Sequence, residues 1–247
     1  MDHARTYVGL LALSLAPVLH AEVSLELTSL GDGRGSTQQV QVRGELLWDD
    51  PTEYDYNGLG CHEKLWSDAS GAGVITHCIE IHASIPDGVS NFDVVDLADA
   101  PGGGWPGPMG ALRAELLEGL FAEWIDPLTG GVTGGAGQEA RATAFQLMTW
   151  EITHESFEAS TTNEMADQLD FTLGAIKWRS RGDDFDTAVE SYATEMIDLL
   201  RLGNLGSGPV AGLVSESGQD QAMYVPGPGA GALLAAALGV GRRRRRG

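Results

Sequence analysis

The chain has 247 residues, 43% of them hydrophobic, and carries a formal net charge of -20 at pH 7 with a sequence pI near 4.4. A surface that acidic excludes nucleic acid and anionic membranes as natural partners. Lys64 and Lys177 are the only lysines, and no tandem repeat is visible.

In chain order, Arg5 lies in a short polar start, followed by an apolar run from Tyr7 to Pro17 and by Ala21. This is the pattern of a secretory signal cut after Ala21, so residues 1–21 are expected to be removed. The run falls short of the ~20 apolar residues of an ordinary spanning helix. The segment from Glu22 to Leu30 alternates, with Val23, Leu25 and Leu27 on one side, and predicts a strand. The turn Gly31-Asp32-Gly33-Arg34-Gly35 follows, with no Lys-Ser/Thr to make it a phosphate loop. Further strands are expected over Gln39 to Trp48, Val74 to Ile85 and Phe92 to Leu97.

The breaker run Pro101 to Pro108 then changes the period from 2 to 3.6. Met109, Leu112, Leu116, Leu117, Leu120, Phe121 and Trp124 share one helical face, and Asp126-Pro127 stops that helix. After the glycine-rich loop Thr129 to Gly137, helices are expected over Gln138 to His154, Asn163 to Trp178 and Asp186 to Leu202. Val210 to Ser215 and Gln221 to Val225 read as closing strands. The order of elements predicts an α+β fold. Its β-rich sandwich or barrel body spans about residues 22–100 and 208–224. A helical part, about 108–203, is inserted between the Cys78 strand and the closing strands.

The C-terminus reads Tyr224-Val225-Pro226-Gly227-Pro228-Gly229-Ala230, then an apolar run to Val240 and five arginines from Arg242 to Arg246. The prolines and glycines keep the first part extended, and the arginines hold the last part on the inner side of a membrane. Residues 225–247 resemble the PEP-CTERM sorting signal, with Gly227 in place of the family's glutamate between Pro226 and Pro228. The resemblance implies an exosortase-type processing enzyme as a partner. It also implies membrane contact through the terminal signals alone, and a mature protein, residues 22–224, at the cell surface or in the extracellular matrix.

Two cysteines, Cys61 and Cys78, are present, and in an exported protein a disulfide between them is the ordinary expectation. The local sequences offer a second reading. Cys78 lies in Thr76-His77-Cys78-Ile79-Glu80-Ile81, and Gln146 lies in Phe145-Gln146-Leu147-Met148-Thr149-Trp150, an amide on a largely apolar helix. Buried amides need partners. These segments, with Gly218-Gln219-Asp220-Gln221 near the end, resemble the Cys-Gln thioester domains of bacterial surface adhesins. Met148-Thr149 stands where Ala-Ile is common, and His77 where an aromatic is usual.

That resemblance implies an internal thioester between Cys78 and Gln146, shielded from water by Phe145 and Trp150. It further implies covalent attachment to amines or hydroxyls on a surface protein or polysaccharide, with no cofactor. Such an electrophile is used once, so the chain is not expected to be an enzyme. The alternative is a non-reactive matrix protein with a Cys61–Cys78 disulfide.

Other constellations are weaker. Cys61, His62, His77 and Cys78 have no zinc-ligand spacing, and His77 and His82 fall on opposite faces of an extended strand. The acidic groups Asp49-Asp50, Glu53 with Asp55, and Asp183-Asp184 with Asp186 match no EF-hand and read as solvated loops. No Gly-x-Ser-x-Gly elbow introduces a serine nucleophile. Carboxylates of the helical half acting as a hydrolase remain the least supported reading.

Overall fold

A computed structural model describes residues 21–31, 33–42, 57–81, 83–85, 88–101, 107–178, 180–203 and 205–225. The rest of the expected signal segment, the sorting motif beyond Val225, the acidic groups at 49–55 and His82 lie outside the described residues.

The first strand, β1 (Ala21–Ser29), alternates as its sequence does: Leu25 is buried, while Glu22, Ser24, Glu26 and Thr28 are exposed. After the glycine turn come β2 (Gly35–Val42), β3 (Asn57–His62), β4 (Lys64–Ser67), β5 (Gly73–Cys78) and β6 (Val89–Asp96). Gly35 stands at φ +127 where a Cβ would lie 2.0 Å from the Cys61 carbonyl oxygen, so β2 and β3 approach only because this residue is glycine. β8 (Val210–Ser215) and β9 (Gln221–Tyr224) close the body, joining β1, β4, β5 and β6 in a six-stranded antiparallel barrel of order β1-β4-β5-β9-β8-β6. Leu25, Trp66, Phe92, Leu213 and Met223 form one apolar cluster among these strands, with Trp66 edge-on to Phe92 at 5.5 Å. The α+β fold with a β-rich body and a helical insertion is thus the one observed.

Between β6 and β8 lie α1 (Ala111–Trp124), α2 (Gln138–His154), α3 (Thr162–Ala166), β7 (Ile176–Trp178) and α4 (Asp184–Arg201). β7 joins β2 and β3 in a second sheet of order β3-β2-β7. The larger apolar core lies between this sheet, β5 and the helices. α2 occupies its centre. From Ala142 to His154 every residue of α2 is buried, the signature of a helix packed on all sides. α4 is amphipathic, burying Val189, Ala193, Met196 and Leu200.

Several expected elements are corrected. The strand expected over 74–85 stops at Cys78, where β9 ends its pairing at Gln221. β2 begins at Gly35, four residues before the expected Gln39. β6 begins at Val89 and stops where the Asp96 side chain caps a tight turn over Leu97–Asp99. The helix expected over 163–178 survives only as α3. Asp170 accepts from the Thr172 backbone and hydroxyl, Gly174 takes φ +78, and the chain extends into β7 against Val40 and Val42. Asp183 and Asp186 are not loose solvated carboxylates. Asp183 caps α4 by accepting from Asp186 N, and buried Asp186 pairs with Arg181.

Candidate functional site

Cys78 is the last residue of β5, and its position explains the site. In an antiparallel strand a residue's N–H and C=O point to the same edge. β4 pairs with β5 only as far as Lys64 opposite Thr76, so its ladder stops short of Cys78. The side chain of Gln146, from the middle of α2, bonds both groups. The Cys78 N–H donates to Gln146 Oε1 at 3.1 Å, and Gln146 Nε2 donates to the Cys78 carbonyl at 2.8 Å. The carboxamide thus stands in for the missing strand.

The other polar residues of α2 explain why Gln146 reaches outward. Thr143, Thr149 and Thr153 return their hydroxyls to carbonyls of the preceding turn. Gln146 is too long for that and is 1% exposed, so it takes its partners from β5.

The Cys78 thiol is fully buried and faces two other amides. Its Sγ donates to Gln219 Oε1 at 2.6 Å, and Gln221 Nε2 donates to Sγ at 3.4 Å. Gln221 is paired with Cys78 across the β5–β9 ladder. The segment before β9 is held by Ile79 N–H donating to the Asp220 carbonyl and by Gln219 N–H donating to Ser84 O. Burial pushes the Asp220 carboxyl up to about 6, helped by the nearby charge of Glu80 and opposed by the Ser215 N–H.

On the other side of Cys78, His77, Phe121 and Phe145 form a three-ring cluster with centroids 4.8 to 5.3 Å apart. Burial lowers the His77 pKa to about 4 against the pull of Glu63, so the ring is neutral at pH 7. Phe145 is completely buried in this cluster. Trp150, one turn beyond Gln146, lines a cavity of about 220 Å³ together with Leu59, His62, Lys64, Ile81 and Gln219. Gln219 both lines this cavity and touches Sγ, while Cys78 and Gln146 themselves are not among the lining residues. The Trp150 indole Nε1 is buried without a hydrogen-bond partner.

Cys61 is also buried, and both cysteines are free thiols, so the disulfide that composition favours is not made here. Desolvation raises the Cys61 pKa well above the thiol range; Lys64 opposes this and Cys78 adds to it. Buried Glu63 pairs with Arg34 of the glycine turn at 2.7 Å and accepts from Val132 N, tying the 129–137 loop to the barrel. Sequence reasoning missed this pair; the signal available was two adjacent charges, Glu63-Lys64, beside a cysteine. Gln219 and Gln221 were visible only as part of a family-like ending. Among the described residues, no three His, Cys, Asp or Glu side chains are placed to hold a metal ion. Among them, too, no helix is long and apolar enough to cross a membrane.

Chemically, the arrangement sets a thiol and a carboxamide on facing elements. The Cys78 N–H already polarises Gln146 Oε1, the atom that would gain charge if sulfur attacked the carboxamide carbon.

No family model and no curated protein matches the chain. Among solved structures, it is similar to the N-terminal thioester domain of fibronectin-binding protein SfbI from Streptococcus pyogenes. The identity is 12%, the TM-score 0.42, and the match covers 67% of this chain and 87% of that one. So remote a likeness carries no argument about function.

Proposed function

We propose that this chain is an exported cell-surface or extracellular-matrix adhesin that forms an internal thioester between Cys78 and Gln146. The observation that carries the reading is a buried free thiol on Cys78, the very residue whose backbone the Gln146 carboxamide clasps in a dry interface. The clasp fixes Gln146 beside the residue that bears the thiol, the first condition for intramolecular attack; Sγ itself rests on Gln219 and Gln221 and has to turn from them to reach the carboxamide carbon. The terminal segments, whose sequences resemble export and sorting signals, support delivery outside the cell.

In the first step Cys78 Sγ bonds to the Gln146 side-chain carbonyl carbon. The C–N bond breaks, and the nitrogen leaves as ammonia with the thiol proton. In the second step a target amine attacks the same carbon. The C–S bond breaks, the amine proton passes to sulfur, and Cys78 is restored as a thiol. The target is then joined to the Gln146 acyl group through an amide. A hydroxyl gives an ester by the same route. Phe145 and Trp150 limit access of water, and each molecule reacts once.

Intact mass of the protein purified without reductant tests this. A deficit of about 17 Da, reversed by methylamine with a net gain of about 14 Da over the unreacted mass, is expected. A deficit of about 2 Da would instead report a Cys61–Cys78 disulfide, and an unaltered mass would leave two thiols; either refutes the thioester.

A further inference from the structure

The cavity beside Trp150 lies where the barrel meets α2. Leu30 follows β1, Leu59 belongs to β3, Lys64 opens β4, and Ile81 and Ile85 follow β5. Its walls are mainly aliphatic, yet two of its residues carry donors that are not spent. Trp150 is 2% exposed, and its indole N–H is buried without an acceptor. Lys64 is also 2% exposed, and its Nζ donates to the His62 carbonyl. An ammonium has three N–H groups, so two remain without an acceptor among the described residues.

The charge of Lys64 is unanswered as well. Glu63, its neighbour in sequence, gives one carboxylate oxygen to Arg34 and the other to the Val132 N–H. Among the described residues, no ion pair includes Lys64. Burial keeps the nearby Cys61 thiol protonated, so it is not a counter-ion. A buried charge without a partner is costly. The chain has only two lysines against a net charge of -20, and one of them is placed here.

We propose that this cavity binds a small carboxylate with a compact apolar body. The carboxylate takes the remaining N–H groups of Lys64 and the indole N–H of Trp150, and the body rests on Leu30, Leu59, Ile81 and Ile85. An ionised carboxylate only accepts, through two oxygens, which suits a wall that only donates. Size sets the body. A cavity of about 150 Å³ admits benzene, so one of about 220 Å³ admits a ring of that size with a carboxylate attached. The acidic surface does not forbid an anion, because its repulsion is screened beyond about 8 Å at physiological salt while the ammonium acts at contact. A free acid and the C-terminus of a peptide ending in an apolar residue present the same chemistry. No covalent bond forms, so the site stands whether or not Cys78 and Gln146 react.

The test titrates the purified protein, labelled with 15N at its tryptophan indoles, with sodium benzoate at constant ionic strength. The Trp150 indole proton, assigned through Trp150→Phe, should move downfield and saturate. A Kd of about 1 mM or below is expected for about nine non-hydrogen atoms in a small site. Benzamide, similar in shape but uncharged, should bind about tenfold more weakly or worse. Lys64→Met keeps the stem and removes the charge; it should weaken benzoate by about tenfold or more and leave benzamide unchanged. N-acetyl-leucine, a carboxylate at a chain end, separates the two sources: tighter binding than benzoate assigns the site to a peptide terminus, weaker binding to a free acid. No saturable shift with either carboxylate overturns the proposal. Equal binding of benzoate and benzamide overturns it too, in a comparison that needs no variant. Undiminished benzoate binding by folded Lys64→Met protein removes the ammonium as the anchor and overturns the proposal as well.

Discussion

Replacing Gln146 by leucine, measured in a Cys78→Ala protein, isolates the clasp from any covalent chemistry. The two hydrogen bonds go to the backbone of residue 78, so they survive the loss of the thiol. Leucine fills nearly the same volume, so the cavity contribution is small. What remains is one buried N–H and one buried C=O without partners at the end of β5, far from water on the core side. Each orphaned group costs about 1–3 kcal/mol, which places the total at about 2–6 kcal/mol. Denaturant unfolding of Cys78→Ala with and without Gln146→Leu reads this directly, provided the slope with denaturant stays the same. Exchange of the residue 78 amide hydrogen should accelerate in parallel. A cost below about 1 kcal/mol, with that amide still protected, would mean that Gln146 does not hold the strand end. The reasoning that joins helix to strand would then fall.

Three further outcomes follow from the charges around the site. His77 titrates near 4 in the fold against an ordinary 6.5, so the unfolded chain takes its proton first as pH drops. The stability it contributes is present above pH 6.5 and fades toward pH 4, by about 2 kcal/mol between pH 7 and 4.5. His77→Phe, which keeps a ring against Phe121 and Phe145, should flatten that part of the stability profile; an unchanged slope would refute the assignment. Asp220 behaves oppositely. Its pKa near 6 lies above the unfolded value, so its contribution is complete below pH 3.8 and is lost as pH rises through 6. Asp220→Asn should therefore stabilise the protein by about 1 kcal/mol at pH 7.5 after solvent screening, and not at pH 3.5. Glu63→Ala leaves Arg34 without its pair and Val132 N without its acceptor; a loss of about 2–4 kcal/mol is expected in the same denaturant assay.

Legibility in the sequence followed how local the cause was. α2 has the bounds its pattern predicts, because seventeen residues of helix-compatible sequence start after glycine and end before an extended segment. β1 alternates visibly because one face meets the barrel interior and the other meets solvent. β3, with two glycines in Asn57–His62, has no alternation to read; its pairing with β2 creates it. β4 is four residues long and buries Lys64, which no periodicity announces. β7 sits in a run whose apolar spacing also fits a helix, and only pairing with Val40 and Val42 decides between them. In the site, Cys78 and Gln146 stand out in sequence because a cysteine in a strand and an amide in an apolar helix are each odd. Gln219 and Gln221 are ordinary residues near a chain end. Their importance comes from a partner 141 and 143 positions away, which only the fold brings near.

The two residues of the pair carry different weight as witnesses. Gln146 is accounted for by structure alone, since a buried helix facing a strand end needs a two-point amide whether or not chemistry follows. Its presence therefore does not separate a reactive domain from an inert one. Cys78 is different. Its backbone does the clasping, and any residue has a backbone. Alanine at 78 would leave both Gln146 bonds in place and remove only a small buried thiol. Without a thioester the loss is confined to that thiol and its two amide contacts, about 1–2 kcal/mol. With one, Cys78→Ala also removes a cross-link across 68 residues, and the chain-entropy contribution of a bond closing such a loop is about 4 kcal/mol. Methylamine gives the same comparison without mutation, because it opens the bond and leaves the thiol. A wild-type protein whose stability falls by several kcal/mol on methylamine treatment, to the level of Cys78→Ala, has its covalent link between β5 and α2. One whose stability ignores methylamine does not, and the glutamine is then a strand substitute and nothing more.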